Sequence, residues 1–272
     1  MISSQDVPMG DGRVVRAYAS GPAGDGPVVV WHHGSPQTGV LLAPLLDAAA
    51  GRGIRLVSFA RPGYGGSTRR AGRTVAAVAG DVSRVADAFG VGRYAVMGAS
   101  GGGPHALGCA AADHERVTAA VSLAGLAPFT DEFDWFGGMV GHGGLLAATK
   151  GAEARFRHAD SAEFDENSFT DADRSALAGE WAALGTDAQL AGDDVEGHVD
   201  DDLAFVTPWG FDISAVTAPT LVVQGGQDRV VPPAHATWLT EHLPRATLWR
   251  RPPDGHVSVL RAVGEALDWL PR

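Results

Sequence analysis

Ser100 stands in Gly98-Ala99-Ser100-Gly101-Gly102, a serine with glycine two positions to either side. A free alcohol is a poor nucleophile, and it becomes useful in acyl transfer only with a base in hydrogen-bond reach. The spacing suits a hydroxyl presented on a tight strand-to-helix turn, whose two arms nearly touch and so demand small residues before and after the serine. Glycine also tolerates unusual backbone angles. A helix starting just behind the serine aims free N–H groups and the positive end of its dipole at any anion that forms there. The same residues also fit an ordinary glycine-rich turn. With 37 glycines in 272 residues, the pattern arises by chance in about one chain in four. The rest of the chain has to decide.

The elements around it have a consistent rhythm. An apolar run over 94–97 precedes Ser100, and an alanine-rich helical stretch runs from Pro104 to about residue 112. Upstream, 13–18 alternates loosely as an edge strand and 21–27 reads as a turn. Val28-Val29-Val30-Trp31 is continuously apolar, as a strand buried on both faces should be, and stops at His32-His33-Gly34-Ser35-Pro36. A helix is expected over about 39–50 and a strand over 54–59. From Thr74 onward, Val75, Val78, Val82, Val85 and Phe89 mark one face of a helix closed by Gly90. Strands over 117–123, 219–224 and 247–249 follow, with helices over about 233–242 and from about residue 259. This alternation implies an α/β fold: a mostly parallel, doubly wound sheet with helices on both faces and right-handed crossovers.

Composition shifts between residues 129 and 210, where 18 Asp and Glu face 4 Lys and Arg. This segment is helical in pattern. Thr170-Asp171-Ala172-Asp173 reads as a capped helix start, with Leu177, Trp181 and Leu184 on one side. Its acidity reads as a solvated surface. The net charge is −11, Lys150 is the only lysine, and no basic patch points to nucleic acid. No apolar stretch approaches the ~20 residues of a bilayer span, so no membrane partner is expected. Cys109 is the only cysteine, which excludes an internal disulfide and makes a reducing cytoplasm the simplest home. The N-terminus lacks the charge and apolar core of a secretion signal. His198 before Asp200-Asp201-Asp202 is the only suggestive metal cluster, and without defined ligand spacing no metal is expected.

Ligands of open parallel sheets bind at the carboxyl ends of the strands. Four polar features fall there, each after an apolar run: His33-Gly34-Ser35, Ser100, Asp228 and His256. Three of them run in the order Ser, Asp, His. With Arg61-Pro62-Gly63-Tyr64-Gly65-Gly66-Ser67, Gly226-Gln227-Asp228-Arg229-Val230-Val231-Pro232 and Gly255-His256, the chain resembles the α/β-hydrolase superfamily over nearly its whole length. It is similar to the serine branch with a helical cap, the esterases and proline iminopeptidases. The resemblance implies a core of residues 1–128 and 211–272, with a helical cap of residues 129–210 inserted after the sixth strand.

It also implies roles. Ser100 is the expected nucleophile, His256 its base, and Asp228 the carboxylate that orients and charge-stabilises the imidazole. The oxyanion is expected on the backbone N–H groups of Ser35 and Gly101. His33, whose usual family role is to brace the oxyanion loop, is joined by Gly34, Phe129, Trp135, Trp209 and Val257 as candidate substrate-binding residues. Core packing is the competing reading for the two tryptophans. His33 is the rival base, Asp131 the rival acid, and His105 reads as a pocket-rim or packing residue.

Ala60 stands where many relatives carry aspartate, and Gly101 where proline iminopeptidases carry tryptophan. Ser100 argues against the haloalkane dehalogenases and epoxide hydrolases, which need aspartate there. The expected activity is hydrolysis of a carboxylic ester, thioester or lactone of a small, apolar substrate, with no cofactor. A proline iminopeptidase-like aminopeptidase and a slow-turnover ligand receptor are the alternatives. Oligomeric state is not legible.

Overall fold

The computed structural model describes residues 2–21, 24, 26–161, 163–193 and 195–271. Of the turn expected over 21–27, Pro22, Ala23 and Asp25 lie outside the described residues. Eight strands form one sheet: β1 (Ile2–Pro8), β2 (Val14–Ser20), β3 (Val28–His32), β4 (Arg55–Phe59), β5 (Tyr94–Ala99), β6 (Val117–Leu123), β7 (Thr220–Gly225) and β8 (Ala246–Arg251). Their spatial order is β1-β2-β4-β3-β5-β6-β7-β8. β2 runs antiparallel to both neighbours, and the other pairings are parallel.

Alternation along the strands explains why both faces are covered. Val28 and Val30 of β3 point into one apolar cluster, Val29 and Trp31 into another. The first cluster takes Val78, Val82 and Val85 of α2 (Val78–Ala88) and Ala106, Leu107 and Ala110 of α3 (Gly102–Ala112). The second takes Leu45 of α1 (Ala43–Ala50), with Val263 and Leu267 of the C-terminal helix Val263–Trp269.

Two elements near the N-terminus depart from expectation. α1 starts at Ala43 rather than near 39, because Gly39 adopts φ 85° and packs so closely on β4 that a Cβ there would lie 2.5 Å from the Ala60 nitrogen. β1 was not expected at all. It has one buried residue, Val7, and is held by a seven-residue register with β2 rather than by an apolar pattern.

Between β6 and β7 the chain makes a helical excursion containing α4 (Gly143–Ala148), α5 (Ala152–Ala159), α6 (Asp171–Ala178), α7 (Ala182–Leu190) and α8 (Val195–Phe205). The helix Pro233–His242 joins β7 to β8. Among the described residues, no helix is long and apolar enough to cross a membrane.

Candidate active site

Ser100 sits at the tip of β5, where the chain turns into α3, with φ 53°. A left-handed backbone at a non-glycine residue costs about 1–2 kcal/mol and persists only when its surroundings impose it. Here they do. The Ser100 N–H donates to the Leu123 carbonyl at 2.8 Å, and the Ser100 carbonyl accepts from Gly103 N at 2.9 Å. The flanking glycines are sterically required. A Cβ on Gly98 would lie 2.2 Å from the Gly102 oxygen, and one on Gly102 would lie 2.1 Å from the His32 oxygen.

Asp228 follows β7. One carboxylate oxygen accepts the N–H groups of Val230 and Val231, each at 2.9 Å, which fixes the other toward His256. His256 Nδ1 lies 2.9 Å from that second oxygen. With its proton on Nδ1, the ring keeps a lone pair on Nε2. Burial pulls the His256 pKa down, but the charge and hydrogen bond of Asp228 outweigh it, and the net shift is upward from the usual histidine value. Ser100 and His256 border the same cavity of about 680 Å³. The Ser100 hydroxyl makes no hydrogen bond among the described residues.

The His256 loop has a second anchor that sequence reasoning found only in part. Thr170 and Asp173 form the expected reciprocal cap of α6. Asp173 also reaches out of its own helix. Its carboxylate accepts the N–H groups of His256, Val257 and Ser258 at 3.2, 2.9 and 2.8 Å, and the Ser258 hydroxyl at 2.8 Å. Position 255 has to be glycine, because a Cβ there would lie 2.0 Å from the Asp173 carboxylate. Asp173→Asn puts an amide donor against donors. It should cost about 2 kcal/mol of stability and lower kcat more than it raises KM; thermal melts and steady-state kinetics check both.

The loop after β3 carries the other candidates. Gly34 N–H donates to Gln37 at 2.6 Å, whereas the N–H groups of Ser35 and Gly101 donate to no acceptor among the described residues. His33 is buried behind the loop. Its Nδ1 lies 2.7 Å from the Gly34 carbonyl, and its Nε2 accepts from Arg61 N at 3.1 Å. Burial, then the Arg61 charge, holds its pKa well below the usual value. A ring spent on both nitrogens is a brace, and its placement does not suit the rival base.

Of the candidate substrate-binding residues, Gly34 and Val257 line the cavity. Phe129, Trp135 and Trp209 do not. Trp135 is buried and donates to the Ala127 carbonyl at 3.0 Å, while Trp209 is buried and donates to Phe205 at 3.2 Å. Phe129 is exposed and packs edge-on against Trp135. These large rings close the base of the excursion rather than the substrate space. Asp131 is exposed and has no bond to His256. His105 is fully buried, 3.2 Å from Asp201, with a pKa lowered to about 4 by burial.

The largest departure from expectation concerns the acidic run. Asp200, Asp201 and Asp202 are buried, not solvated. Consecutive positions of α8 project about 100° apart, so each finds a different arginine. Asp200 meets Arg69 at 2.8 and 3.0 Å, Asp202 meets Arg155 at 2.6 Å, and Asp201 meets Arg61 at 2.7 Å and Arg73 at 2.6 Å. Asp201 also accepts from Tyr64 at 2.9 Å and from the Ser35 hydroxyl. Arg61 in turn donates to the carbonyls of His33 and Gly34. A carboxylate from the excursion thereby fixes the Gly34-Ser35 loop. Among the described residues, no group of three or more His, Cys, Asp or Glu could hold a metal ion.

A cavity of about 950 Å³ lies at the amino ends of β3 and β5, against Val28, Val29, Tyr94 and Ala95. It is at the opposite end of the strands from Ser100.

Residues 27–262 match the family model for the alpha/beta hydrolase fold. No curated relative matches the sequence. Among solved structures, the chain is similar to a bromoperoxidase from Bacillus anthracis (21% identity, 97% of this chain and 98% of that one, TM-score 0.74). It is also similar to an esterase from Exiguobacterium antarcticum and to an enol-lactonase from Burkholderia xenovorans LB400. Each of these is 19% identical, with 98% of both chains covered and a TM-score of 0.73.

Proposed function

The chain belongs to the α/β-hydrolase family, a hydrolase by that membership, and from this premise we propose that it is a serine hydrolase cleaving a carboxylic ester, thioester or lactone through an acyl-enzyme. The observation that carries the reading is a strained serine on the wall of the cavity that also holds a carboxylate-paired imidazole. Ser100 Oγ attacks the carbonyl carbon as its proton passes to His256 Nε2. The new oxyanion takes the N–H groups of Ser35 and Gly101, each such donor being worth roughly 3 kcal/mol in the transition state. Collapse breaks the bond to the leaving group, which receives the proton from His256. Water then repeats the sequence on the acyl-enzyme. Closing the Ser100–His256 hydrogen bond belongs to the substrate-bound state, as apo geometries of such pairs are often loose.

The excursion between β6 and β7 serves as a cap over the site, since its residues supply much of the cavity wall. An ester or lactone is favoured over an N-terminal peptide bond. An aminopeptidase needs a carboxylate for the substrate's α-ammonium group, and the buried Asp200, Asp201 and Asp202 are all occupied by arginines. A buried, unpaired Cys109 fits a reducing cytoplasm, and the partner is a small molecule.

A fluorophosphonate should label Ser100 and no other serine. A folded, unlabelled protein would refute the mechanism. The base must be neutral to accept the proton, so kcat/KM should fall as pH drops through a His256 pKa lying above the ordinary value. Asp228→Asn removes the charge that raises it, so the acid limb should move to lower pH while kcat drops by roughly 10⁴-fold. A pH–rate series on both proteins reads the two effects.

A further inference from the structure

The site has two adjoining chambers whose shared wall includes Ser35 and Ser100. The first, of about 680 Å³, holds His256 and is walled by Leu42, Leu177, Trp181, Leu184 and Leu260. The second, of about 550 Å³, holds Gly101 and alone carries Arg155, His158 and Asp202 on its wall, while His198 and Glu163 border both chambers. Chemistry assigns the chambers. The departing oxygen takes its proton from His256, so the leaving group occupies the first chamber, with its leucine-rich wall. The acyl chain then extends past Gly101 into the second.

Arg155 is the unusual group there. Its side chain is 5% exposed, and its guanidinium donates through Nε alone, to Asp202 at 2.6 Å. Among the described residues its two terminal nitrogens, Nη1 and Nη2, meet no acceptor, although the side chain lines the chamber. A guanidinium that is nine-tenths buried with free N–H groups on its outer edge presents the geometry that receives a carboxylate through two parallel hydrogen bonds. The chamber supplies the room, and glycines let α4 pack tightly on the inner side of the Arg155–Asp202 pair. Gly144 lies against the Arg155–Asp202 pair, where a Cβ would come within 3.1 Å of Asp202 and 3.2 Å of Arg155, and a Cβ on Gly143 would lie 2.7 Å from the His158 ring. Asp202 already balances the arginine charge. His198, with Nε2 3.9 Å from Asp202, and His158 border the chamber as further nitrogen groups, while exposed Glu163 opposes an anion.

Resting on the serine-hydrolase reading, we infer that the natural substrate carries a carboxylate on its acyl side, received by the free edge of Arg155, and an apolar alcohol as its leaving group. It is a half-ester of a dicarboxylic acid or a lactone bearing a carboxylate.

The test compares 4-nitrophenyl half-esters of succinic, glutaric and adipic acids with their methyl-capped, uncharged counterparts. One chain length should favour the free carboxylate by about 10- to 100-fold in kcat/KM. Arg155→Lys keeps a cation beside Asp202 but loses the paired donors, and should cut that ratio at least tenfold; rapid hydrolysis of the capped esters with no preference for the free acids would overturn the inference and leave the serine mechanism standing. Binding gives an arm independent of turnover. In calorimetry on Ser100→Ala, glutarate or a neighbouring dicarboxylate should bind at least tenfold more tightly than butyrate, and equal affinities would again overturn it. If no ester is cleaved and Ser100 takes no label, the hydrolase reading falls, and the substrate inference falls with it.

Discussion

Ser100→Ala is expected to lower kcat by on the order of 10⁴- to 10⁶-fold, leaving KM for a neutral ester nearly unchanged. The arithmetic follows from what stays behind. On the proposed mechanism the Ser35 and Gly101 donors would still bind a carbonyl oxygen, so some catalysis over water survives, but no covalent route remains. The fold should not notice. Alanine at φ 53° carries the same backbone strain as serine, and the Ser100 hydroxyl supports no hydrogen bond among the described residues. Ser100→Gly separates function from strain more sharply. Glycine occupies this region freely, so the variant should be as inactive as alanine and melt no lower than the wild type, despite the added chain entropy. Thermal melts beside kinetics decide it. An alanine variant retaining more than a few per cent of wild-type kcat would remove Ser100 from the mechanism.

Much of this candidate site is legible in the sequence, for a reason visible in the sheet. β3, β5 and β7 are buried on both faces, so they appear as unbroken apolar runs, and the polar residues that end them stand out. That made Ser35, Ser100 and Asp228 conspicuous. His256 is marked in the sequence by its glycine neighbour and its place in the order, although β8 is partly exposed. Groups acting through another part of the chain were hidden. Asp173 looked like a helix cap because it is one, and nothing local records that the same carboxylate also holds residues 256–258. Trp135 and Trp209 show the converse. Large rings at the boundary of an insertion suit a pocket or a seam equally well, and only their indole N–H partners decide for the seam. β1 escaped because an exposed edge strand needs no apolar pattern, only a partner.

The acidic run taught most, because composition suggested solvent and the fold uses it as a clamp. Asp201→Ala should destabilise the protein by about 3–5 kcal/mol, since Arg61 and Arg73 would remain buried without their counter-charge. For a chain of this size that corresponds to a drop of roughly 10 °C in Tm. Burial alone would raise the Asp201 pKa, yet Arg61, Arg73 and the His105 hydrogen bond more than reverse this and hold it well below the usual range. The sign of the pH dependence follows. A depressed folded-state pKa contributes stability that is fully present above the unfolded-state value, and is lost as pH falls from there toward the folded one. The melting-temperature gap between wild type and Asp201→Asn should therefore be widest near neutrality and shrink as pH drops below about 4. Adding Arg73→Met to Asp201→Asn removes one of the stranded cations and should recover part of the loss, giving a positive coupling in a double-mutant cycle. Activity should respond as well. Arg61 holds the His33 and Gly34 carbonyls, so freeing it loosens the loop that presents Ser35 N–H, and kcat should fall in variants still folded at the assay temperature. A gap independent of pH, with kcat unchanged, would mean that Asp201 merely fills space between α8 and the loop.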